Sequence, residues 1–148
     1  MKTIKIIITV FLFQNFLIAQ WESDVRLTNN NSQSTRAYNN ARTIDSDGEI
    51  LHTVWSDGRD GNYEVYYKKS TNAGVSWGVD TRLTNSAGFS FYPAISVSGN
   101  RIMVTWTDDR NGYYDIYFKK SDDAGNTWSP DIRLTNNTTT SNYPSIDA

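Results

Sequence analysis

Residues 101–128 read RIMVTWTDDRNGYYDIYFKKSDDAGNTW, and residues 50–77 read ILHTVWSDGRDGNYEVYYKKSTNAGVSW. The two stretches align without a gap, so that Trp106 follows Trp55 by 51 residues (106 − 55). A period of this length is typical of stacked supersecondary units. The repeat also changes how a polar residue is interpreted, because a residue that recurs in every unit supports the unit, whereas a catalytic residue is normally needed once.

Each unit contains four short segments with the alternation, or the β-branched and aromatic enrichment, of strands. Turn residues separate them. We name the predicted strands A to D and place them in the first unit at residues 41–45, 50–56, 63–69 and 77–83, and in the second at 92–97, 101–107, 113–120 and 128–134. Four antiparallel strands at this period predict an all-β fold built from β-propeller blades.

The repeat continues past both full units. Residues 21–28, WESDVRLT, match the D strands, and residues 142–146, NYPSI, match the beginning of an A strand. We therefore expect an incomplete propeller of about two blades, with a partial domain at residues 20–148. Its predicted parts are a lone outer strand at 20–28, blade 1 at 41–84, blade 2 at 92–135 and the first strand of blade 3 at 142–148. The chain is then the N-terminal portion of a longer protein, whose remaining blades complete the ring.

Residues 1–19 have the pattern of a secretory signal peptide. Lys2 and Lys5 precede an apolar stretch, and Ala19 provides a small residue before the expected cleavage point. The apolar stretch is interrupted by Gln14 and falls short of the roughly 20 residues that cross a bilayer. We expect a secreted, extracellular protein without a membrane span.

Composition argues against several kinds of partner and site. Residues 20–148 carry 16 acidic and 12 basic side chains, a charge of 12 − 16 = −4, and the chain has no cysteine. This charge does not suit nucleic acid, and disulfides and thiolate metal sites are excluded. His52 has no second histidine with which to share a metal, and the acidic turn at 45–49 lacks the remaining ligands of a calcium loop. We expect no metal and no cofactor.

The turn between strands C and D carries the most specific motif. Residues 121–128, SDDAGNTW, fit S-x-D-x-G-x-T-W at every defined position, and residues 70–77, STNAGVSW, depart from it at Asn72 and Ser76. The motif resembles the Asp box, or bacterial neuraminidase repeat (BNR), of sialidase-like β-propellers, and the resemblance covers residues 21–148. We interpret it as a staple in which the carboxylate or amide accepts backbone N–H groups, glycine takes a positive φ and tryptophan covers the hairpin. The structural residues so predicted are Ser70, Asn72, Gly74, Trp77, Ser121, Asp123, Gly125, Thr127 and Trp128.

The resemblance implies that these turns are structural, because Asp boxes lie on the side of the propeller opposite the family's active site. Since successive hairpin turns alternate between the two ends of a blade, the B–C loops and D–A connections form the other face. A ligand is expected there. The candidate residues on that face are Arg42, Asp57, Arg59, Asp60, Asp108, Asp109 and Arg110.

The recurring charges have two interpretations. Asp57 and Arg59 recur as Asp108 and Arg110, which suits either a substrate-binding pair or a repeated ion pair that fixes the B–C loop. We favour the structural pair, because a single site cannot use the same pair in every blade. The acidic residue that begins strand C, Glu64 in the first unit, is interpreted as a loop cap or a partner of lysine.

Arg42 differs because it does not recur: Pro93 and Pro144 occupy its position. Sialidases resemble this region in carrying an Arg-Ile-Pro sequence, whose arginine helps to hold the carboxylate of sialic acid, whereas Thr43 and Ile44 follow the arginine here. A solvated or ion-paired arginine is the alternative. The D–A connection before Arg42 is also five residues longer than its counterpart, and insertions on one face often mark a binding face.

These observations predict a scaffold for recognition of an extracellular glycan or protein, with no complete catalytic site in this chain. One alternative is the N-terminal part of an exo-α-sialidase. As the family implies, that chemistry requires three arginines, an acid/base aspartate, and a tyrosine nucleophile assisted by a glutamate. Only Arg42 and one of Asp57 or Asp60 are candidates for it. The other alternative is a lectin-like subunit that oligomerises to close a propeller.

Overall fold

The structure is a computed structural model that describes residues 23–36 and 41–148. The predicted signal peptide and residues 20–22 of the predicted lone strand lie outside the described residues. Within the described ranges, no helix has the length and hydropathy that crossing a bilayer requires.

Two antiparallel sheets make up the regular structure, and the described residues contain no helix. The first sheet consists of β1 (Ser34–Thr35), β2 (Ile44–Asp47), β3 (Ile50–Asp57), β4 (Glu64–Ser70) and β5 (Thr81–Arg82). The second consists of β6 (Ser90–Ser98), β7 (Arg101–Asp108), β8 (Asp115–Ser121) and β9 (Ile132–Arg133). Neighbouring strands follow chain order, except that β1 and β2 both pair with β3. The prediction of an all-β chain is confirmed.

The long central strands lie where sequence alternation predicts them, whereas the fourth strands are shorter than predicted. β5 and β9 contain two residues each. The fourth segment nevertheless stays attached to the third strand beyond its short ladder. In the first sheet the Leu83 N–H donates to the Val65 carbonyl at 2.8 Å, and the Gly78 N–H donates to the Lys69 carbonyl at 2.9 Å.

Strand β1 shows where the five extra residues lie. It pairs with the end of β3 just as the start of β6 pairs with the end of β7. The offset between these two pairs is 56 residues (34 to 90), whereas β2 and the rest of β6 are related by 51 residues (44 to 95). The five extra residues therefore fall between β1 and β2, which together correspond to β6. The second unit has a β-bulge between Phe91 and Ala94 at the corresponding point.

Neither end of the part of the chain that the structure describes contains a strand. Residues 23–33 and 134–148 form no ladder, which differs from the predicted strands at 20–28 and 142–148. The physical reason is that a strand forms only by hydrogen bonding to a neighbouring strand. The described residues contain no third strand that could pair with the first segment and no second strand that could pair with the last. The last segment is still held, because the Ser141 N–H donates to the Tyr114 carbonyl at 2.7 Å.

A shared apolar core joins the two sheets. Its buried members are Val54, Val65, Tyr67 and Leu83 from the first unit and Ile95, Ile102, Val104, Trp106 and Tyr117 from the second. Polar contacts cross the same boundary: the Ile95 N–H donates to the Arg42 carbonyl at 2.8 Å, and Lys119 Nζ donates to the Leu83 carbonyl. Each sheet thus buries its apolar face against the next, as stacked repeats require.

The turn at residues 121–128 belongs to this contact between the sheets. The Trp128 ring meets the Tyr67 ring of the first sheet edge-on, with centroids 5.1 Å apart. The Tyr67 hydroxyl lies 2.7 Å from Nδ1 of the buried His52. Lys69 Nζ donates to the Ala124 carbonyl at 3.0 Å. Gly125 sits directly against the Tyr67 ring, where it has no space for a side chain.

We expect Gly125→Ala to destabilise the protein more than its matched control Gly74→Ala. Both glycines have positive φ, 83° and 88°, so the two alanines experience similar backbone strain of about 1 kcal/mol. A Cβ at Gly125 would lie 2.8 Å from Tyr67 Cζ, whereas the nearest atom at Gly74 is 3.9 Å away. Overpacking should add about 1–3 kcal/mol to the loss of unfolding free energy, measured by chemical denaturation. Equal losses would show that this turn does not join the sheets.

Candidate functional site

The B–C loops and the D–A connection meet at one end of the two sheets. Asn62 Nδ2 donates to the Gly88 carbonyl at 2.6 Å, and the Phe89 N–H donates to Asp109 Oδ1 at 2.6 Å. We call residues 57–63, 84–90 and 108–114 the loop face. At the other end, the C–D turn bonds to the A–B turn, as where the Ala124 N–H donates to the Asn100 carbonyl at 2.8 Å.

A fully buried carboxylate organises the loop face in each unit. Asp108 accepts hydrogen bonds from Trp106 Nε1 at 3.1 Å, Arg110 Nε at 2.8 Å and Ser90 Oγ at 2.9 Å. The Arg110 backbone N–H adds a bond of 3.0 Å, and its terminal nitrogen forms an ion pair at 2.6 Å. Asp57 accepts the equivalent bonds from Trp55 Nε1 (3.0 Å), Arg59 Nε (3.0 Å) and Ser34 Oγ (2.8 Å).

The arginine extends the network to a second carboxylate and a lysine. Arg110 reaches Asp131 Oδ2 at 2.9 Å, and Lys119 Nζ reaches Asp131 Oδ1 at 2.8 Å. The guanidinium also lies over the Tyr117 ring, 4.4 Å from its centroid. The first unit repeats these contacts with Arg59 to Asp80 (2.7 Å), Lys68 to Asp80 (2.6 Å) and Arg59 over Tyr66 (4.2 Å). The network therefore ties the loop to the third and fourth segments of the same unit.

The hydrogen bonds keep these groups charged. Burial alone would raise the pKa of Asp108, but the bonds from Arg110 and Trp106 outweigh burial and lower the pKa below its usual value. The pKa of Asp57 is lowered against burial in the same way, mainly by Arg59. The hydrogen bonds that Arg59 and Arg110 donate to Asp57 and Asp108 raise the pKa values of the two arginines. A general acid requires a carboxyl pKa near the working pH, so the lowered pKa values of Asp57 and Asp108 do not suit them to that role.

The acidic residue that begins the third strand pairs with arginine, which corrects the prediction of a lysine partner. Glu64 is fully buried and accepts from Arg82 at 2.8 Å, from the Ser86 N–H at 2.9 Å and from Thr84 Oγ1 at 2.5 Å. In the second unit, Asp115 is bonded by Arg133 (2.6 Å) and Thr135 (3.0 Å). Lys68 and Lys119 of the third strands pair with the carboxylates of the fourth segment, Asp80 and Asp131, instead. Glu64 thus caps the connection that leads to the second unit.

The two other acidic candidates also hold loops. Asp60 pairs with Arg82 at 3.0 Å and accepts the Tyr66 hydroxyl. Burial, together with that hydrogen bond, raises the pKa of Tyr66 to about 12. Asp109 accepts the Phe89 N–H, and its own N–H donates to the Phe89 carbonyl at 3.3 Å.

Arg42 lies on the segment before β2, with half of its side chain exposed. Its guanidinium is 3.3 Å from Asp45 Oδ2 and 3.6 Å from Asp147 Oδ1. Asp45 Oδ2 also accepts the Val97 N–H at 2.8 Å. The structure places Arg42 in an ion-paired setting that links the first unit to the last segment of the chain.

Aromatic side chains that the sequence analysis did not select form a continuous row from the loop face along the first strand of the second unit. We call this the aromatic row: Tyr63, Phe89, Phe91, Tyr92 and Tyr143. Neighbouring ring centroids are 5.0 Å (Tyr63–Phe91), 5.4 Å (Phe89–Phe91), 5.5 Å (Phe91–Tyr92) and 4.7 Å (Tyr92–Tyr143) apart. The available signal was an unusual run of aromatics in a connection that otherwise holds turn residues.

The C–D turns bind their own backbone. Asp123 Oδ1 accepts the Thr127 N–H at 2.8 Å, and Asp123 Oδ2 accepts the Thr127 hydroxyl at 2.6 Å. These bonds lower the pKa of Asp123 to about 2. In the first unit, Asn72 Oδ1 accepts the Ser76 N–H at 2.9 Å. The residue after each has positive φ as well, 53° at Ala73 and 55° at Ala124, in addition to the expected glycines.

Ser70 and Ser121 complete the two turns by accepting the glycine N–H, at 2.9 Å from Gly74 and from Gly125. Trp77 is half-buried. Within residues 23–36 and 41–148, no three histidine, aspartate or glutamate side chains are grouped to hold a metal ion.

No family model, curated protein or solved structure matches this chain. Its function is therefore inferred from its own residues.

We expect the protein to lose stability in acid. The folded pKa values of Asp57, Asp80 and Asp108 lie below the ordinary value of 3.8. These carboxylates therefore bind fewer protons in the folded than in the unfolded state, and their contribution is complete above pH 3.8 and disappears as the pH falls through the folded pKa values. Thermal unfolding between pH 7 and pH 2 measures this. A midpoint that stays constant down to pH 2 would contradict it.

Asp108→Asn should lower the free energy of unfolding at pH 7 by about 3 kcal/mol, because it leaves Arg110 beside a neutral group in a buried site. The variant should also show a flatter dependence on pH. Asp122→Asn is the matched control, since Asp122 is an exposed partner of Lys120 and Arg101. Its effect should be small.

We expect Asp123→Ala to destabilise the second unit more than Asp123→Asn does. Alanine removes the acceptor of the Thr127 N–H, whereas asparagine keeps it, as Asn72 does in the first unit. Thermal unfolding of the two variants decides the order. Equal damage would show that the charge, rather than the acceptor, stabilises the turn.

Proposed function

We propose that this chain is an exported, sialidase-like β-propeller segment with Asp boxes, which acts as a scaffold for recognition of an extracellular glycan or protein. The 51-residue period, the two S-x-D/N-x-G-x-T/S-W turns and the signal-peptide pattern of residues 1–19 support it. So does the geometry of those turns, in which Asp123 and Asn72 bond the backbone of their own loop.

The observation that carries the scaffold assignment is the repetition of one internal network in both units. The charged side chains at positions 57 and 59 of the loop face make the same bonds as those at 108 and 110. Each carboxylate is fully buried and each guanidinium is bonded to two carboxylates. Groups used in this way hold the loops in place and are not available to take a proton from a substrate or to give one.

A recognition face requires loops that do not collapse when the ligand is absent. The network provides this rigidity, since it fastens each B–C loop to strands on both sides of it. The D–A connection is fastened as well, through Asn62 to the carbonyls of Ser86 and Gly88 at 3.0 and 2.6 Å. Ordered loops reduce the entropy that binding must overcome, which favours specific recognition.

Arg42 separates this proposal from the exo-α-sialidase alternative. Its ion pairs with Asp45 and Asp147 give it a structural partner, as a scaffold implies. In a sialidase, the same guanidinium would have to give up these contacts in order to bind a substrate carboxylate. The loop face also offers no carboxyl with a raised pKa among the described residues for which a shift is resolved.

We expect the protein to release no sialic acid from 3′-sialyllactose, and Arg42→Lys to leave ligand binding and stability close to wild type. Arg110→Lys is the comparison variant, because an ammonium group cannot reproduce the planar contacts with Asp108 and Asp131. It should lower the free energy of unfolding by about 1–3 kcal/mol. Chromatographic detection of sialic acid and chemical denaturation are the measurements. Enzymatic release by the wild type that Arg42→Lys abolishes would replace the scaffold by a sialidase.

A further inference from the structure

We infer that the buried pair of His52 and Tyr67 is an acid-sensitive contact, which loosens the turn at residues 121–128 from the first sheet when His52 takes up a proton. His52 is the one histidine of the chain and is 1% exposed, and its Nδ1 lies 2.7 Å from the Tyr67 hydroxyl. The inference goes beyond the proposed function, because it concerns the contact between the two sheets and not the loop face.

The repeat does not require this pair. At the positions 51 residues later, Met103 stands for His52 and Phe118 stands for Tyr67, so the second unit fills both strand positions with apolar side chains. Replacing both partners of a buried hydrogen bond by apolar groups of similar shape can be nearly neutral for stability. The structural needs of the unit therefore do not account for a titratable pair at these positions.

Tyr67 connects His52 to the turn of the second unit. Its ring meets the Trp128 ring edge-on with centroids 5.1 Å apart, and Gly125 packs directly against its hydroxyl. The indole N–H of Trp128 is buried and has no hydrogen-bond partner among the residues that the structure describes. An unsatisfied buried donor costs free energy. The docking of this turn therefore includes an unfavourable contribution and is sensitive to the loss of a further bond beneath it.

The hydrogen bond of the pair is complete only while His52 is uncharged. Within residues 23–36 and 41–148, the Tyr67 hydroxyl donates no other hydrogen bond, so it satisfies its hydrogen by donating to Nδ1, and the neutral ring carries its own proton on Nε2. A proton that binds the Nδ1 lone pair turns this acceptor into a second donor. The hydroxyl hydrogen must then turn away, and Tyr67 loses the bond that fixes it under the turn.

The charges around His52 come from both neighbouring strands, Asp45 and Asp47 of β2 and Lys69 of β4, while the turn contacts Tyr67 through uncharged residues. Burial has the largest effect on the pKa of His52 and lowers it, and Lys69 lowers it further. The two aspartates raise it, and the net result lies below the ordinary value of 6.5. Folded His52 thus binds fewer protons than unfolded His52, so its contribution is complete above pH 6.5 and is lost as the pH falls through the folded pKa.

The test is hydrogen exchange of the full chain at pH 7.5 and pH 5, followed by NMR at single backbone amides and corrected for the intrinsic rates. We expect the protection of the Gly125 and Thr127 N–H groups to fall about threefold or more at pH 5. The N–H groups of Gly74 and Ser76 are the matched control and should keep their protection. They make the same bonds within their own turn, and Gly74 lies nearest to Leu51 rather than to the pair.

A double variant, His52→Met with Tyr67→Phe, places the side chains of the second unit at these positions and removes the titrating group. Its turn at 121–128 should be equally protected at both pH values, and a loss that persists in it would overturn the inference. Three results with wild type alone would do the same: no loss at 121–128, an equal loss in both turns, or a His52 pKa of 6.5 or above in an NMR titration of the ring. The inference can therefore be tested even if the double variant does not fold. None of these measurements involves a ligand, so a negative result leaves the proposed function in place.

Discussion

A buried carboxylate at the end of the second strand of each unit is the interaction on which the remaining structure depends. Asp108 receives bonds from its own strand through Trp106, from the first strand through Ser90 and from the loop through Arg110. Arg110 also forms an ion pair with Asp131, and Asp131 forms a second ion pair with Lys119. A charge in such a place is tolerated only when all of its bonds are formed. The four segments that bind the carboxylate are therefore expected to fold and unfold together.

Because the fold depends on this network, the charged residues of the loop face have a structural role. A group that is needed to offset the burial of its partner cannot be released for chemistry without loss of the fold. The same lysine that completes the network also bonds the Leu83 carbonyl of the preceding unit, so the network extends from one sheet to the next. What remains for recognition is the part of the surface that the network positions but does not use.

The sequence alone predicted the strands, and the residue pairs whose members are close together in the chain. Alternation located β7 and β8, and the repeat singled out Asp108 with Arg110, two residues apart. The third member, Asp131, is 21 residues from Arg110, and no pattern in the chain specifies that distance. The backbone conformation of Tyr92 could not be predicted from the sequence, for a different reason. It precedes a proline, which biases a residue towards extended backbone, yet its φ is 53° because the bulge overrides the local preference.

The places where the repeat is broken give an independent reason to locate recognition near the first strand of each unit. The five extra residues fall between β1 and β2, and at the corresponding point the second unit has its bulge, between Phe91 and Ala94. The position of Tyr92 is Ala41 in the first unit, and the next position holds Arg42 in place of proline. Contacts that build each unit constrain the rest of the repeat, so differences between units accumulate where packing permits them. In stacked repeats such differences gather on one face, often the binding face. The variable point lies in the first strand of the unit, which is why we assign specificity to that strand rather than to the charged loops.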